Sequence, residues 1–179
     1  MAKAELILQE LKDCKVTHVI GLPDNAAAPL LALLREDPGI LTVPVSREAE
    51  AFGVAAGLWI GGKAPLVLIQ NTGLLESGDS LRGTVMRMRV PLVCLITYRG
   101  YSKRGGHRFD PLAEDLNAEF LSRPDLDSAG LITEPTLKAW GIPFDFLHHD
   151  TDILKISEAF KRAKALSQPV AVLITNNMS

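Results

Sequence analysis

The chain is poor in the features that most directly announce a function. Cysteine is scarce: two in 179 residues, Cys14 and Cys94, far apart in apolar surroundings. That excludes a disulfide framework and a cysteine-built zinc site, and makes a reducing cytoplasm the expected compartment. Neither sign of charge is in excess, with 19 Lys and Arg against 21 Asp and Glu and a formal net charge of -2. No basic surface is therefore offered to nucleic acid or membrane. No apolar run is long enough to span a bilayer, and the first residues carry charges where a signal peptide would have its apolar core. Gly-x-Gly-x-x-Gly after the first strand-like segment is missing, as are a phosphate loop ending in Gly-Lys-Ser/Thr and a Gly-x-Ser-x-Gly elbow. His18, His107, His148 and His149 have no zinc spacing with cysteines or acids, so no metal ligand is expected from this chain.

What is present is a regular alternation. Apolar residues make up 47% and charged residues 22% of the chain, an ordinary globular composition at a length that suits one domain. Helical periodicity is expected over 4–15, 25–35, 47–60, 71–88, 134–140 and 152–166. Strands are expected over 17–22, 40–45, 65–70, 91–97, 143–147 and 169–175. Several of these strands are almost wholly apolar, as in a parallel sheet covered on both faces. The expected fold class is α/β, a three-layer doubly wound sheet of about six mostly parallel strands. The polar stretch 99–133 is long for a connection inside a domain, with a short helix expected within 112–121.

In such a sheet ligands gather beyond the carboxyl ends of the strands. The residues just past the first four strands are Pro23-Asp24-Asn25, Ser46-Arg47-Glu48, Asn71-Thr72-Gly73 and Tyr98-Arg99-Gly100. Glu48 is the most unusual of these. It stands at a prospective helix start and is followed by Ala49, Ala51, Phe52 and Val54, surroundings poor in water. By position alone it is an acid in the first turn of a helix, favoured by the helix dipole, with Ser46 as N-cap. Asn71 could cap the next helix, and Asp24 or Asn25 the one after the first strand. Gly53 and Gly57, four apart, favour a close helix contact.

Two motifs in order and at the right spacing carry a family resemblance. Val43-Pro44-Val45-Ser46-Arg47-Glu48 leads into a small-residue helix, and a later strand ends in Gln70-Asn71-Thr72-Gly73-Leu74. A further strand ends near Arg99-Gly100. The sequence resembles the pyrimidine-binding part of the thiamine diphosphate-dependent 2-oxo acid decarboxylases, the group that includes sulfopyruvate and phosphonopyruvate decarboxylases. The resemblance makes Glu48 the catalytic glutamate that hydrogen-bonds the cofactor's aminopyrimidine and activates it, with Glu50 its nearest competitor. It also implies cofactor contacts at Pro23, Asn71 and Gly73. Substrate contacts are implied at Asp24, Asn25, Arg99 and His107, where a guanidinium pairs well with a sulfonate, phosphonate or carboxylate.

The same resemblance implies thiamine diphosphate with Mg2+ as cofactors, and it exposes a gap. The diphosphate-binding signature, Gly-Asp-Gly followed by an asparagine pair, does not occur. Gly78-Asp79-Ser80 departs from it, and Asn176-Asn177 has nothing matching upstream. Residues 1–179 are thus expected to be a single pyrimidine-type domain whose site closes against a separately encoded diphosphate-binding beta subunit, with self-association also expected. The expected substrate is a small anionic 2-oxo acid. Leu75-Glu76, where relatives continue Gly-Asn, and Tyr98, where histidine is common, blur which one. A carboligase of the same family, a non-catalytic regulatory subunit and an unrelated doubly wound anion-binding domain are the competing readings.

Overall fold

Three stretches without a single charge, Pro-Leu-Val-Leu-Ile-Gln, Val-Cys-Leu-Ile-Thr and Val-Ala-Val-Leu-Ile, are the middle of the molecule. A computed structural model describes residues 1–103 and 116–179. The stretches are β3 (Pro65–Gln70), β4 (Val93–Thr97) and β6 (Val170–Ile174), and every residue in them except Gln70 is buried. With β1 (His18–Gly21), β2 (Leu41–Pro44) and β5 (Phe144–Leu147) they form one six-stranded sheet in the order β2-β1-β3-β4-β6-β5. All five pairings are parallel. Such strands must be covered on both faces, because either face left in water would expose continuous apolar surface.

Helices supply that cover. On one face α1 (Ala4–Asp13), α2 (Ala28–Glu36) and α8 (Lys155–Leu166) bury Ile7, Leu11, Leu30, Leu34 and Ile156. On the other, α3 (Glu48–Ile60), α4 (Asn71–Glu76), α5 (Gly78–Ser80, running into a π turn over Leu81–Met86) and α7 (Ser128–Ala139) bury Phe52, Ala55, Leu74, Val85 and Leu137. A four-residue helix, α6 (Ala118–Leu121), lies in the long connection; expected residues 112–115 of that helix lie outside the described residues. The three-layer α/β architecture is the expected one.

Two elements differ from expectation. The helix foreseen over 71–88 is broken. At Ser77 the side-chain hydroxyl donates to the Gly73 carbonyl at 2.6 Å, a local bond that competes with helix continuation. Gly78 then passes so close to Trp140 that a Cβ there would lie 3.0 Å from the indole. The helix foreseen over 134–140 instead begins at Ser128, with Asp127 as N-cap accepting from Ala129 N at 3.2 Å. Pro135 therefore sits inside the helix rather than at its start. Its first turn is fixed from outside, because Gly130 lies against Gly100 with no room for a side chain on either.

β1 is where the connections diverge: β2 lies on one side of it and β3 on the other. The loops leaving β1 and β3 part there, which opens the sheet's carboxyl edge. Gly21 ends β1 at that point. A Cβ on it would fall 1.8 Å from the Leu68 carbonyl oxygen, a collision with backbone that no side-chain movement relieves. Gly21→Ala is expected to lower stability by about 3 kcal/mol or more, read from urea unfolding midpoints. A change within about 0.5 kcal/mol would show that the β1–β3 register is not as tight as described.

Candidate functional site

Three acids converge on the start of α3, and the structure separates their duties. Glu50 turns back to cap the helix, accepting from Ser46 N at 2.9 Å and Arg47 N at 3.3 Å. The N-cap residue is Arg47 rather than the expected Ser46, because Ser46 spends its amide on Glu50 and its side chain makes no capping bond. Glu76 accepts from the Arg47 guanidinium, with Nε at 3.2 Å, and from Ala49 N at 3.3 Å. Glu48 is left with no hydrogen bond or ion pair among the described residues.

Glu48 is half-buried, and what it rests on is Gly73. A Cβ at Gly73 would lie 2.2 Å from Glu48 Cγ and 2.6 Å from its carboxyl carbon. The glycine is therefore a seat for this side chain. Ala51 and Phe52, on either side of the helix start, are fully buried, whereas Gly53, Val54 and Gly57 face outward. The apolar surroundings read from the sequence thus cover only part of Glu48; the rest of its environment faces away from this chain.

The segment ending β3 organises the remainder. Gln70 Nε2 donates to Asp24 Oδ1 at 3.1 Å, and Thr72 Oγ1 donates to Gln70 Oε1 at 2.7 Å. Asn71 is wholly buried. Its amide nitrogen donates to the Arg99 carbonyl and to Thr133 Oγ1, both at 3.0 Å, and its oxygen accepts from Arg99 N at 3.1 Å. Both amide hydrogens are thereby used. The Asn71 side chain is therefore a staple inside the fold. Gly73 contributes through the space it leaves.

A polar cavity of about 260 Å³ opens beyond β1, β3, β4 and β6. Asp24, Asn25 and Arg99, expected on the substrate side, all line it, together with Thr97, Asn176 and Asn177. Asp24 does not cap the following helix; its carboxyl instead spans Gln70 and Thr97, whose hydroxyl donates at 2.6 Å. Arg99 gives its Nε to Asp127 at 2.9 Å, and among the described residues both Nη groups have no partner, on a side chain that is 60% exposed. Gly100 turns the chain at φ +83° directly against Asp127 and Gly130. That close approach is the physical need behind the Arg-Gly pair. Pro23 is exposed and borders a separate apolar cleft beside Leu31, Arg35 and Pro44. It joins none of the contacts around Glu48. His107 lies outside the described residues.

Asn176 and Asn177 stood out in the sequence only as an asparagine pair with nothing matching upstream; nothing in the linear order connects them to the loop after β1, with which they share the cavity. Glu76 was visible only as a departure from the family pattern. Neither cysteine is poised for chemistry: burial pushes the Cys94 thiol up to about 12, and burial with nearby Glu10 and Asp13 pushes Cys14 up to about 11. Among the described residues no group of His, Cys, Asp and Glu could hold a metal ion, and no helix is long and apolar enough to cross a membrane.

Residues 1–118 match the thiamine pyrophosphate enzyme family, N-terminal TPP binding domain. The chain belongs to that family. It is 33% identical over 94 residues to the sulfopyruvate decarboxylase subunit alpha of Methanocaldococcus jannaschii, covering 52% of this chain and 56% of that one. The subunit alpha of Methanococcus maripaludis aligns over 175 residues at 26% identity, 97% of this chain and 95% of the relative. Phosphonopyruvate decarboxylase of Streptomyces viridochromogenes is 35% identical over 96 residues, 54% of this chain but 23% of the relative. The match spans little more than half the length of two of the sulfopyruvate relatives, 56% and 59%. Thiamine pyrophosphate and thiamine diphosphate are one compound, so the family match supports this cofactor.

The separation of the acids has a direct test within this domain family's fold. Glu50→Ala removes a helix cap and is expected to lower stability by about 1 kcal/mol. Glu48→Gln removes no partner and should leave the unfolding midpoint unchanged within error. Equal losses would mean that Glu48 also secures the helix start.

Proposed function

We propose that this chain is the pyrimidine-binding, alpha-type subunit of a thiamine diphosphate-dependent 2-oxo acid decarboxylase that works with a separate diphosphate-binding subunit. One observation carries the reading. Of three acids at the start of α3, only Glu48 has no partner among the described residues, and a glycine is kept under it so that its carboxyl stands clear. The residues fit the aminopyrimidine end of the cofactor: a free, half-buried carboxyl can hydrogen-bond a ring nitrogen and hold a proton there. They do not fit its magnesium diphosphate end. Asp79, in the segment nearest to a diphosphate signature, is 91% exposed and paired with Arg82. Mg2+ and the diphosphate therefore belong to the partner in this reading.

When bound, thiamine diphosphate supplies the electron sink for cleaving a bond beside a carbonyl. This chain's own residues do the rest of what falls to it. Glu48 orients and protonates the pyrimidine. The two free Nη groups of Arg99 draw the anionic end of a 2-oxo acid into the polar cavity, and Asn25 adds an amide there. The outward face of α3 supports the partner. Val54, Trp59 and Ile60 are 36%, 38% and 64% exposed, and a Cβ at Gly53 or Gly57 would meet nothing within 4 Å. Beside Glu48, that face is smooth, apolar and open, as a surface closing the site requires. Sulfopyruvate leads as substrate because the relative aligned over nearly the whole chain carries that name, with phosphonopyruvate the other arm of a screen.

Calorimetry with thiamine diphosphate and Mg2+ tests the reading, using the chain alone and then mixed with its candidate partner. Binding is expected only in the mixture, and Glu48→Gln is expected to cut turnover of the 2-oxo acid by about a hundredfold or more. No binding in either sample, or full turnover by Glu48→Gln, would overturn it.

A further inference from the structure

Four consecutive residues each hold a different part of the site. Gly73 seats Glu48, Asn71 fixes the Arg99 backbone, Gln70 holds Asp24, and Thr72 holds Gln70. The pair with no assigned purpose is Gln70 and Thr72. A glutamine amide can present either its oxygen or its nitrogen, and only one choice suits this place. With Thr72 donating to Oε1 at 2.7 Å, the NH2 group is turned to Asp24 Oδ1 at 3.1 Å. The flipped amide would set oxygen against a carboxyl oxygen. Thr97 completes the grip on the other oxygen, Oδ2, at 2.6 Å. Asp24 is thus held from β3 and β4, across the sheet edge, while its own loop contributes no side-chain bond to it. One lone-pair direction on each of its oxygens stays open beside the cavity that Arg99 and Asn25 also line.

We infer that Gln70, oriented by Thr72, is a positioning residue that fixes the Asp24 carboxyl at the substrate side of the site and does not itself bind the cofactor. This rests on the reading of Asp24 as a substrate-facing group. The reason for such a device is geometric. Asp24 begins a short 3-10 turn, Asn25–Ala27, on an exposed loop. With Thr97 alone, on a single oxygen, its side chain would sample several rotamers, and a misplaced polar group in a reacting site loses rate out of proportion to the displacement. The same turn of chain carries the seat of Glu48. Gln70, the last residue of β3, and Gly73, in the first turn of α4, are three positions apart, which ties the substrate side to the cofactor side by local geometry.

Two measurements test this. In the full chain, NMR couplings are expected to report one χ1 rotamer for Asp24, averaged over several in Gln70→Ala and in Thr72→Val but retained in Thr72→Ser. In the assembled enzyme, Gln70→Ala should lower kcat/KM for the 2-oxo acid by about tenfold or more and leave thiamine diphosphate affinity within about twofold. Added to Asp24→Ala, it should have no further effect, because it acts through Asp24. A single retained rotamer in Gln70→Ala, or losses that multiply in the double variant, would overturn the inference. Unchanged turnover in Asp24→Ala would overturn only the substrate-facing reading, and the rotamer measurement would still decide whether Gln70 holds Asp24.

Discussion

The buried amide of Asn71 is the interaction on which the rest of the site depends. It pairs with both the N–H and the C=O of Arg99 and with the hydroxyl of Thr133. One side chain therefore joins the end of β3, the end of β4 and the middle of α7. The first two leave the sheet with backbone groups that have lost their strand partners. A buried group left unpaired there would cost about 1–3 kcal/mol. The close approach of Gly100 to Gly130 follows from this joint, as does the start of α7 six residues before its expected position.

The joint also explains why the site is open on one side. The Asn71 staple, the Gly73 seat and the Gln70 amide all act within the sheet's carboxyl edge, and they leave the outward face of α3 uncovered. α3 is apolar on both sides, yet only the side bearing Ala51, Phe52, Ala55 and Ala56 is used by this chain. A helix of that kind is ordinarily buried all round. Glu48 stands at its head, half in the fold and half facing the same open side, so the carboxyl and the apolar face would be closed over together.

Charge is distributed to keep Glu48 unengaged. Arg47 is the cation next to Glu48 in the chain. Glu76 takes it, and at the same time caps Ala49 N. Glu50 takes the two amides that precede the helix. The departure from the family pattern at Glu76 thus has a physical account: it supplies the counter-charge for Arg47 that would otherwise come from the acid at the helix head. Beyond β4, Asp127 binds the Arg99 guanidinium through Nε.

Much of this was legible in the sequence, because it depends on local chemistry. Uncharged runs marked β3, β4 and β6, the alternation of periods marked the parallel sheet, and an acid at the head of a small-residue helix marked Glu48. Pro135 lying inside a helix depends on residues far away in the chain, which local propensity does not report. Ser77 breaking a helix and Arg47 displacing Ser46 as N-cap turn on local side-chain bonds whose outcome the sequence pattern does not rank. The sequence by itself determined the layers and the parallel sense of the strands, since hydrophobic period is short-range. Only the tertiary structure decided which acids are engaged, that Gln70 faces Asp24 across 46 positions and that Asn176 and Asn177 share a cavity with Arg99. Those contacts form between strand ends that are neighbours in the sheet and strangers in the chain.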